Sequence, residues 1–219
     1  MDWSYIQEIV PRFVQAAIMT LKLSAWGIGL SLLLGLVVAL VTSYRVRVLY
    51  GLACGYIELS RNTPLLIQLF FLYYGLPKMG IQWDGFTCGV IALTFLGGSY
   101  IAEALRAGLQ AVPRGQIESA KAIGLAPVQI FRYVEAPQAF AIAWPALTAN
   151  ALFLVKETSV INAVSVAELM FVTKDIIGTE YMTNEALFML FVSYLVLLLP
   201  LSWLASLSER RLRRGTYGV

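Results

Sequence analysis

The sequence predicts an all-α membrane protein with five transmembrane helices and no second large domain, and three observations carry that expectation. Of its 219 residues, 59% are apolar or aromatic and only 13% are charged, where about 25% is ordinary for a soluble protein. With glycine counted and tyrosine left out, the apolar share is roughly 62%, against the usual 45 to 50%. The apolar residues fall in runs matched to a bilayer, which needs about 20 per helical crossing. Lysine and arginine, finally, collect on one set of connecting segments, as they do on the cytoplasmic side of membranes.

The first run covers residues 13–42 and is interrupted only by Lys22. A signal peptide would have a basic leader and a short apolar stretch. This leader holds Asp2, Glu8 and Arg12 and the run is long, so it is expected to stay in the mature protein. Further spans are expected over residues 63–80, 86–104, 139–155 and 186–207. Residues 50–59 read as an interfacial cytoplasmic helix leading into the second span. Arg61, Asn62 and Pro64 mark the break, since a residue before proline avoids the helical region. Residues 159–172 are apolar apart from Asn162 and Glu168, but a crossing there would place the terminal arginines outside. They read as a helix or re-entrant segment on the outer half of the bundle.

With five spans, Arg45, Arg47, Arg61, Arg106, Arg114, Lys121, Arg132, Arg210, Arg211, Arg213 and Arg214 share one side, 11 of the 16 basic residues. The opposite side carries Lys156 and Lys174 against Glu157, Glu168, Asp175, Glu180 and Glu185. The expected topology is N-terminus outside, C-terminus cytoplasmic.

Composition also excludes function classes. There is no histidine, which removes His-based triads, common zinc sites and the usual proton shuttle. Cys54 and Cys88 lie in apolar stretches and read as buried small hydrophobes. Neither G-x-x-x-x-G-K-[ST] nor G-x-G-x-x-G occurs, so no nucleotide motif is present, and a net charge of +3 is too small and scattered for a nucleic-acid surface. No catalytic residue and no metal ligand set is expected, and a membrane enzyme lacks plausible groups.

The loop over residues 106–138 is too apolar for a disordered linker and too charged for a span. Pro113 can start a helix that continues through Gln116 to Ile123 and ends at Gly124, and Pro127 can start a second that stops at Pro137. Two short helices joined at Gly124 make a protruding knuckle suited to docking another protein.

Within this loop, Glu118-Ser119-Ala120, Gly124 six positions after the glutamate, and Val134-Glu135-Ala136-Pro137 resemble the EAA loop of ABC importer permease subunits. That pattern is E-A-A, three residues, G, nine residues, I-x-L-P; Ser119, Val134 and Ala136 are mild replacements. Arg61-Asn62-Thr63-Pro64-Leu65-Leu66-Ile67-Gln68 and Tyr73-Tyr74-Gly75-Leu76-Pro77 resemble stretches of polar amino acid permeases of the histidine, glutamine and arginine type. Tyr100-Ile101-Ala102-Glu103, Gly115-Gln116, Pro137-Gln138-Ala139 and Lys156-Glu157-Thr158-Ser159 look like further pieces, so the resemblance covers residues 55–170. Asn62 where the family usually has glycine and the alanine-rich residues 141–149 are departures that bear on substrate choice.

The resemblance implies a multi-pass type I permease in the cytoplasmic (inner) membrane of a prokaryote. It also implies a second permease chain, same or related, a cytoplasmic ABC ATPase dimer, an external solute-binding protein, and an amino acid substrate. No cofactor would be bound by this chain; ATP and magnesium would sit on the partner ATPase. Glu118, Ala120, Gly124, Leu125, Ile130, Phe131 and Pro137 would then couple to the ATPase, with Leu125, Ile130 and Phe131 supplying apolar contact. An amphipathic loop lying on lipid is the competing reading.

Lys156, Glu157, Thr158, Ser159, Asn162 and Glu168 combine a donor for a carboxylate with an acid for an amine, as a zwitterionic solute requires, and are the expected substrate path. A solvated helix end or a docking surface for the binding protein fits the same residues. Lys22 either snorkels outward or faces a cavity, and Glu103 with Arg106 reads as a local i,i+3 pair. Gly97-Gly98-Ser99 permits a close helix approach, a kink or a dimer contact, residues 209–214 read as an anchor to anionic lipid, and Trp83, Trp144 and Trp203 receive no function. A permease for another small solute, or a scaffold that does not transport, remains an alternative.

Overall fold

The computed structural model describes residues 1–217, with side chains described as far as Leu212; the side chains of Arg213 and Arg214 lie outside the described residues. All regular structure among these residues is helical: α1 (Trp3–Ser43), α2 (Leu49–Asn62), α3 (Leu65–Phe70), α4 (Gly85–Ala111), α5 (Arg114–Ala122), α6 (Pro127–Ile130), α7 (Ala136–Glu157), α8 (Leu169–Thr179) and α9 (Thr183–Tyr217). By length and composition, four helical stretches suit a membrane crossing: Trp3–Ser43, Gly85–Ala111, Pro127–Val164 and Thr183–Leu212.

The span expected over residues 63–80 is the correction. It is realised as a shorter apolar helix, Leu65–Met79, in which α3 gives way to a π turn at Phe71–Gly75 and a 3-10 turn at Leu76–Met79. The ladder is cut before it because Thr63 is extended (φ −114°, ψ 133°), as a residue preceding proline prefers, and Pro64 has no N–H to donate. Side chains fill part of the gap: Gln68 Nε2 donates to the carbonyls of Ser60 at 3.0 Å and Thr63 at 3.1 Å.

Helix α2, expected as an interfacial element, is instead packed along the bundle. Its Ala53 and Ile57 meet Val38 and Ala39 of α1 and Ala102 of α4. Tyr56 and Ser60 donate hydroxyl hydrogens to the Phe95 carbonyl at 2.7 and 2.8 Å. Leu65 and Leu69 then join Cys88, Ala92, Leu93 and Leu96. The chain from α2 through α3 therefore runs antiparallel to α4 over most of its length.

Small residues let α1, α4 and α7 approach closely. A Cβ on Gly35 would lie 2.5 Å from Ile101 Cγ2, and one on Gly98 would lie 2.6 Å from the Tyr56 hydroxyl. Gly97 faces Ser31 of α1 and Leu154 of α7. The Gly97-Gly98-Ser99 segment thus serves packing within the chain. Cys88 is buried in this core, whereas Cys54 is only half-buried, because α2 turns one edge away from α4.

At the opposite end from the knuckle, Ile6, Ile9, Phe13 and Ala16 pack on Leu169 and Ile176 of α8 and Ala186 and Met189 of α9. Residues 159–172 cover parts of a 3-10 turn, Thr158–Val164, and of α8, both folded against the bundle. Arg12 pairs with Asp175 at 2.9 Å and with Glu180, tying α1 to α8 and the turn that follows it.

Candidate functional site

The knuckle is built by local chemistry. Helix α5 follows Pro113, and Gly124 adopts φ +85°, a left-handed conformation suited to glycine. Gly124 N donates to the Lys121 carbonyl at 2.9 Å and Leu125 N to that of Ala120 at 3.1 Å. This pair of bonds is a Schellman stop, which satisfies the last carbonyls of the helix. Pro127 then opens α6, with Gln129 Oε1 accepting from Ala126 N at 2.8 Å.

The expected stop at Pro137 does not occur. Helix α6 continues through a π turn, Phe131–Glu135, directly into α7, so the helical stretch expected from residue 139 begins at Pro127. The wider turn accommodates the missing proline N–H, and Gln138 Nε2 donates to the Val134 carbonyl at 2.8 Å. Gln138 also donates to Gln116, joining α5 to α7. Tyr44, at the end of α1, donates its hydroxyl to Glu135 Oε2 at 2.8 Å, and its ring meets that of Phe131 edge-on at 6.1 Å.

The expected coupling residues divide into three groups. Glu118, Gly124 and Pro137 are exposed and available to a partner. Ala120 and Ile130 are buried, so they hold the knuckle together; Leu125 and Phe131 are half-buried. The large apolar surface is presented instead by Ile123, 78% exposed, Val128, 76% exposed, and Tyr133, 66% exposed. The place of Ile123 beside the Gly124 turn was the available signal, because a turn tip exposes its flanking side chains.

The expected substrate-path residues do not converge on one pocket. Lys156 is exposed and Glu157 half-buried at the end of α7. Thr158 is fully buried and bonds back to the Val155 carbonyl at 2.8 Å, and Ser159 is half-buried. Asn162 accepts from Lys174 Nζ at 3.0 Å and donates to the Ser159 carbonyl. Glu168 is fully buried as the N-cap of α8, accepting from Met170 N at 2.9 Å and Phe171 N at 2.7 Å. Burial pushes its carboxyl up to about 7, against the pull of those two N–H groups and Lys174.

A polar cavity of about 410 Å³ opens between the end of α1, α2 and the second half of α4. Its wall includes Arg45, Glu58, Arg61, Glu103, Arg106 and Gln110. The expected Glu103–Arg106 pair is present, bidentate at 2.8 and 2.9 Å, and Arg61 adds a second cation 3.7 Å from Glu103 while lying over the Tyr100 ring. Arg61 and Glu103 lie in the family-like stretches of the sequence, but their meeting in one cavity was not legible there, since three separate helices supply it. Lys22 sits on the exposed face of α1.

Comparison with known proteins gives one consistent answer. The profile of the binding-protein-dependent transport system inner membrane component family matches residues 31–214. The chain is 35% identical over 196 residues to the probable glutamine ABC transporter permease GlnM of Bacillus subtilis, covering 90% of this chain and 91% of that one. It is 31% identical over 214 residues to the glutamine transport system permease GlnP of Escherichia coli K12, covering 97% and 98%. A solved structure of an amino acid ABC transporter with histidines superposes with a TM-score of 0.90 at 36% identity, covering 96% of this chain and 99% of that one. The inward-facing MetNI methionine transporter shares the fold, with a TM-score of 0.76 at 23% identity over 98% and 99% of the two chains. The chain belongs to the binding-protein-dependent transport system inner membrane components, the membrane-spanning permease subunits of ABC transporters, in which a separate subunit hydrolyses ATP.

Proposed function

We propose that this chain carries a polar amino acid into the cell across the inner membrane, in a complex with a second permease chain, a cytoplasmic ATPase dimer and an external solute-binding protein. The observation that carries the reading is the knuckle over residues 106–138, on which Ile123, Val128 and Tyr133 project as apolar surface and the Glu118 side chain is exposed. An ATPase cleft that buries these side chains gains their transfer free energy, about 1.5 to 3 kcal/mol for each aliphatic residue. ATP and magnesium belong to that partner. The relatives' glutamine specificity and the histidine-containing neighbour favour a polar amino acid over another small solute.

The chain acts as a single permease domain with five crossings, N-terminus outside and C-terminus inside. The second crossing is assembled from α2 and Leu65–Met79, because together they accompany α4 from Ala102 to Cys88. Arg45, Arg106 and the knuckle cluster at one end of the bundle while Asp175, Glu180 and Glu185 lie at the other, which supports this orientation. Solute passes Lys156, Glu157 and Ser159, with Thr158 buried behind them, and leaves through the polar cavity. Glu157, half-buried and without a partner among the described residues, is the contact to test first.

The test is uptake of labelled glutamine, histidine and arginine into sealed vesicles holding the complex, with and without ATP. ATP-dependent accumulation supports the reading; its absence with every amino acid removes it. Glu157→Gln should lower uptake while ATPase recruitment persists, and unchanged uptake would take Glu157 out of the path.

A further inference from the structure

The knuckle is continuous in the chain with α4 and α7, but α1 is linked to it only through space. Leu36, Ala39 and Leu40 of α1 share an apolar pocket with Phe131 and Pro137, and a side-chain hydrogen bond is made at Tyr44. Tyr44 caps α1, with its N–H donating to the Leu40 carbonyl at 3.0 Å, and the chain then turns away through Arg45 at φ +49°. From this fixed end the Tyr44 hydroxyl donates to Glu135 Oε2 at 2.8 Å, 91 residues along the chain, and the ring packs edge-on against Phe131 at an interplanar angle of 77°. Glu135 and Phe131 are the last and first residues of the π turn that joins the docking surface to α7. A hydroxyl bonded to a carboxylate is stronger than a neutral pair and more demanding in direction.

We propose that Tyr44 is a positioning residue that clamps the end of α1 to the ATPase-docking knuckle, so that α1 moves with α7 when the ATPase displaces the knuckle. This rests on the importer reading above. Without the clamp, displacement of the π turn still pulls α7 through the backbone, and α1 follows only through its apolar packing on α4 and α7, with no directional bond to the turn. Tyr44→Phe removes none of the docking surface, which Ile123, Val128 and Tyr133 present.

The experiment uses the full complex in sealed vesicles, with ATP hydrolysis and uptake of labelled glutamine, histidine or arginine read in the same sample. Tyr44→Phe keeps the ring contact and loses only the hydroxyl, Glu135→Ala loses the acceptor, and the double variant closes a thermodynamic cycle. The expected result is ATPase recruitment and hydrolysis within about twofold of the natural protein, with uptake per ATP reduced about fivefold or more in each single variant. The double variant should be no worse than either single one, since both remove one bond. Unchanged uptake per ATP in Tyr44→Phe, additive losses in the double variant, or a proportional loss of ATPase recruitment would each overturn the clamp while leaving the importer reading intact. A natural complex that neither recruits the ATPase nor accumulates any of the three amino acids overturns both readings.

Discussion

Two isoleucines seven positions apart in the knuckle should respond in opposite ways to the same truncation. Ile123 is 78% exposed on this chain, whereas Ile130 is 3% exposed and packed inside it. Burying an isoleucine side chain is worth about 1.5 to 3 kcal/mol. Ile123→Ala removes most of what that side chain contributes when a partner covers it, so the complex with the ATPase should weaken by about 1 to 2 kcal/mol, roughly 5- to 30-fold in Kd. Its own melting temperature should hardly change, because little of that surface is buried in the free chain. Ile130→Ala removes atoms already buried and leaves a cavity, at about 2 to 5 kcal/mol of local stability. The assay is titration of the purified ATPase against the permease in lipid nanodiscs, alongside hydrogen exchange over residues 114–137. Faster exchange should follow Ile130→Ala alone. The reasoning fails if Ile123→Ala binds the ATPase with natural affinity, or if it loosens the knuckle as much as Ile130→Ala does.

Gly35→Ala should cost about 1 to 3 kcal/mol through overpacking, since the new Cβ would meet Ile101 Cγ2 at 2.5 Å and Ile101 Cβ at 2.8 Å, and the latter cannot rotate away. Gly29→Ala on the same helix meets nothing within 4 Å and should melt like the natural protein, so equal melting of the two variants would refute the packing argument. Gly124→Ala places a Cβ at φ +85° and should lower knuckle stability by about 1 to 2 kcal/mol, read by the same hydrogen exchange. Glu168 has its folded pKa raised by burial to about 7 from an ordinary 4.5, so its contribution is unfavourable above pH 7 and fades as pH falls from 7 to 4.5. Thermal melts of the natural protein should carry this slope and those of Glu168→Gln should not; identical slopes would exclude Glu168 as its source.

Much of the site was legible because it depends on local chemistry. Gly124 ends α5 where a left-handed residue is needed, and Pro113 and Pro127 stand where helices begin. The spacing from Glu118 to Pro137 is a one-dimensional pattern. The stop expected at Pro137 was not legible, because a π turn absorbs a proline only when the surrounding helix is held in place, here by Gln138 and by Tyr44 on Glu135. Glu168 suits a substrate acid by composition, yet its burial and its role as a helix cap follow from how α8 folds against α1.

By itself the sequence determined an all-helical membrane chain, the loop that folds into the knuckle and the unequal charge of its two ends, since hydropathy and turn chemistry act over a few residues. Tertiary structure decided which faces are covered. In a membrane both the lipid-facing and the core-facing sides of a helix are apolar, so periodicity loses the contrast that marks a buried face in water. Thus α4 and α9 are both apolar, but α4 buries Cys88, Leu93 and Ile101 whereas α9 leaves Phe191, Val196 and Leu199 exposed. Likewise α2 reads as an interfacial helix until Tyr56 and Ser60 are seen bonded to Phe95, 39 and 35 residues away. Such contacts depend on the packing of whole helices, which no short window of sequence contains.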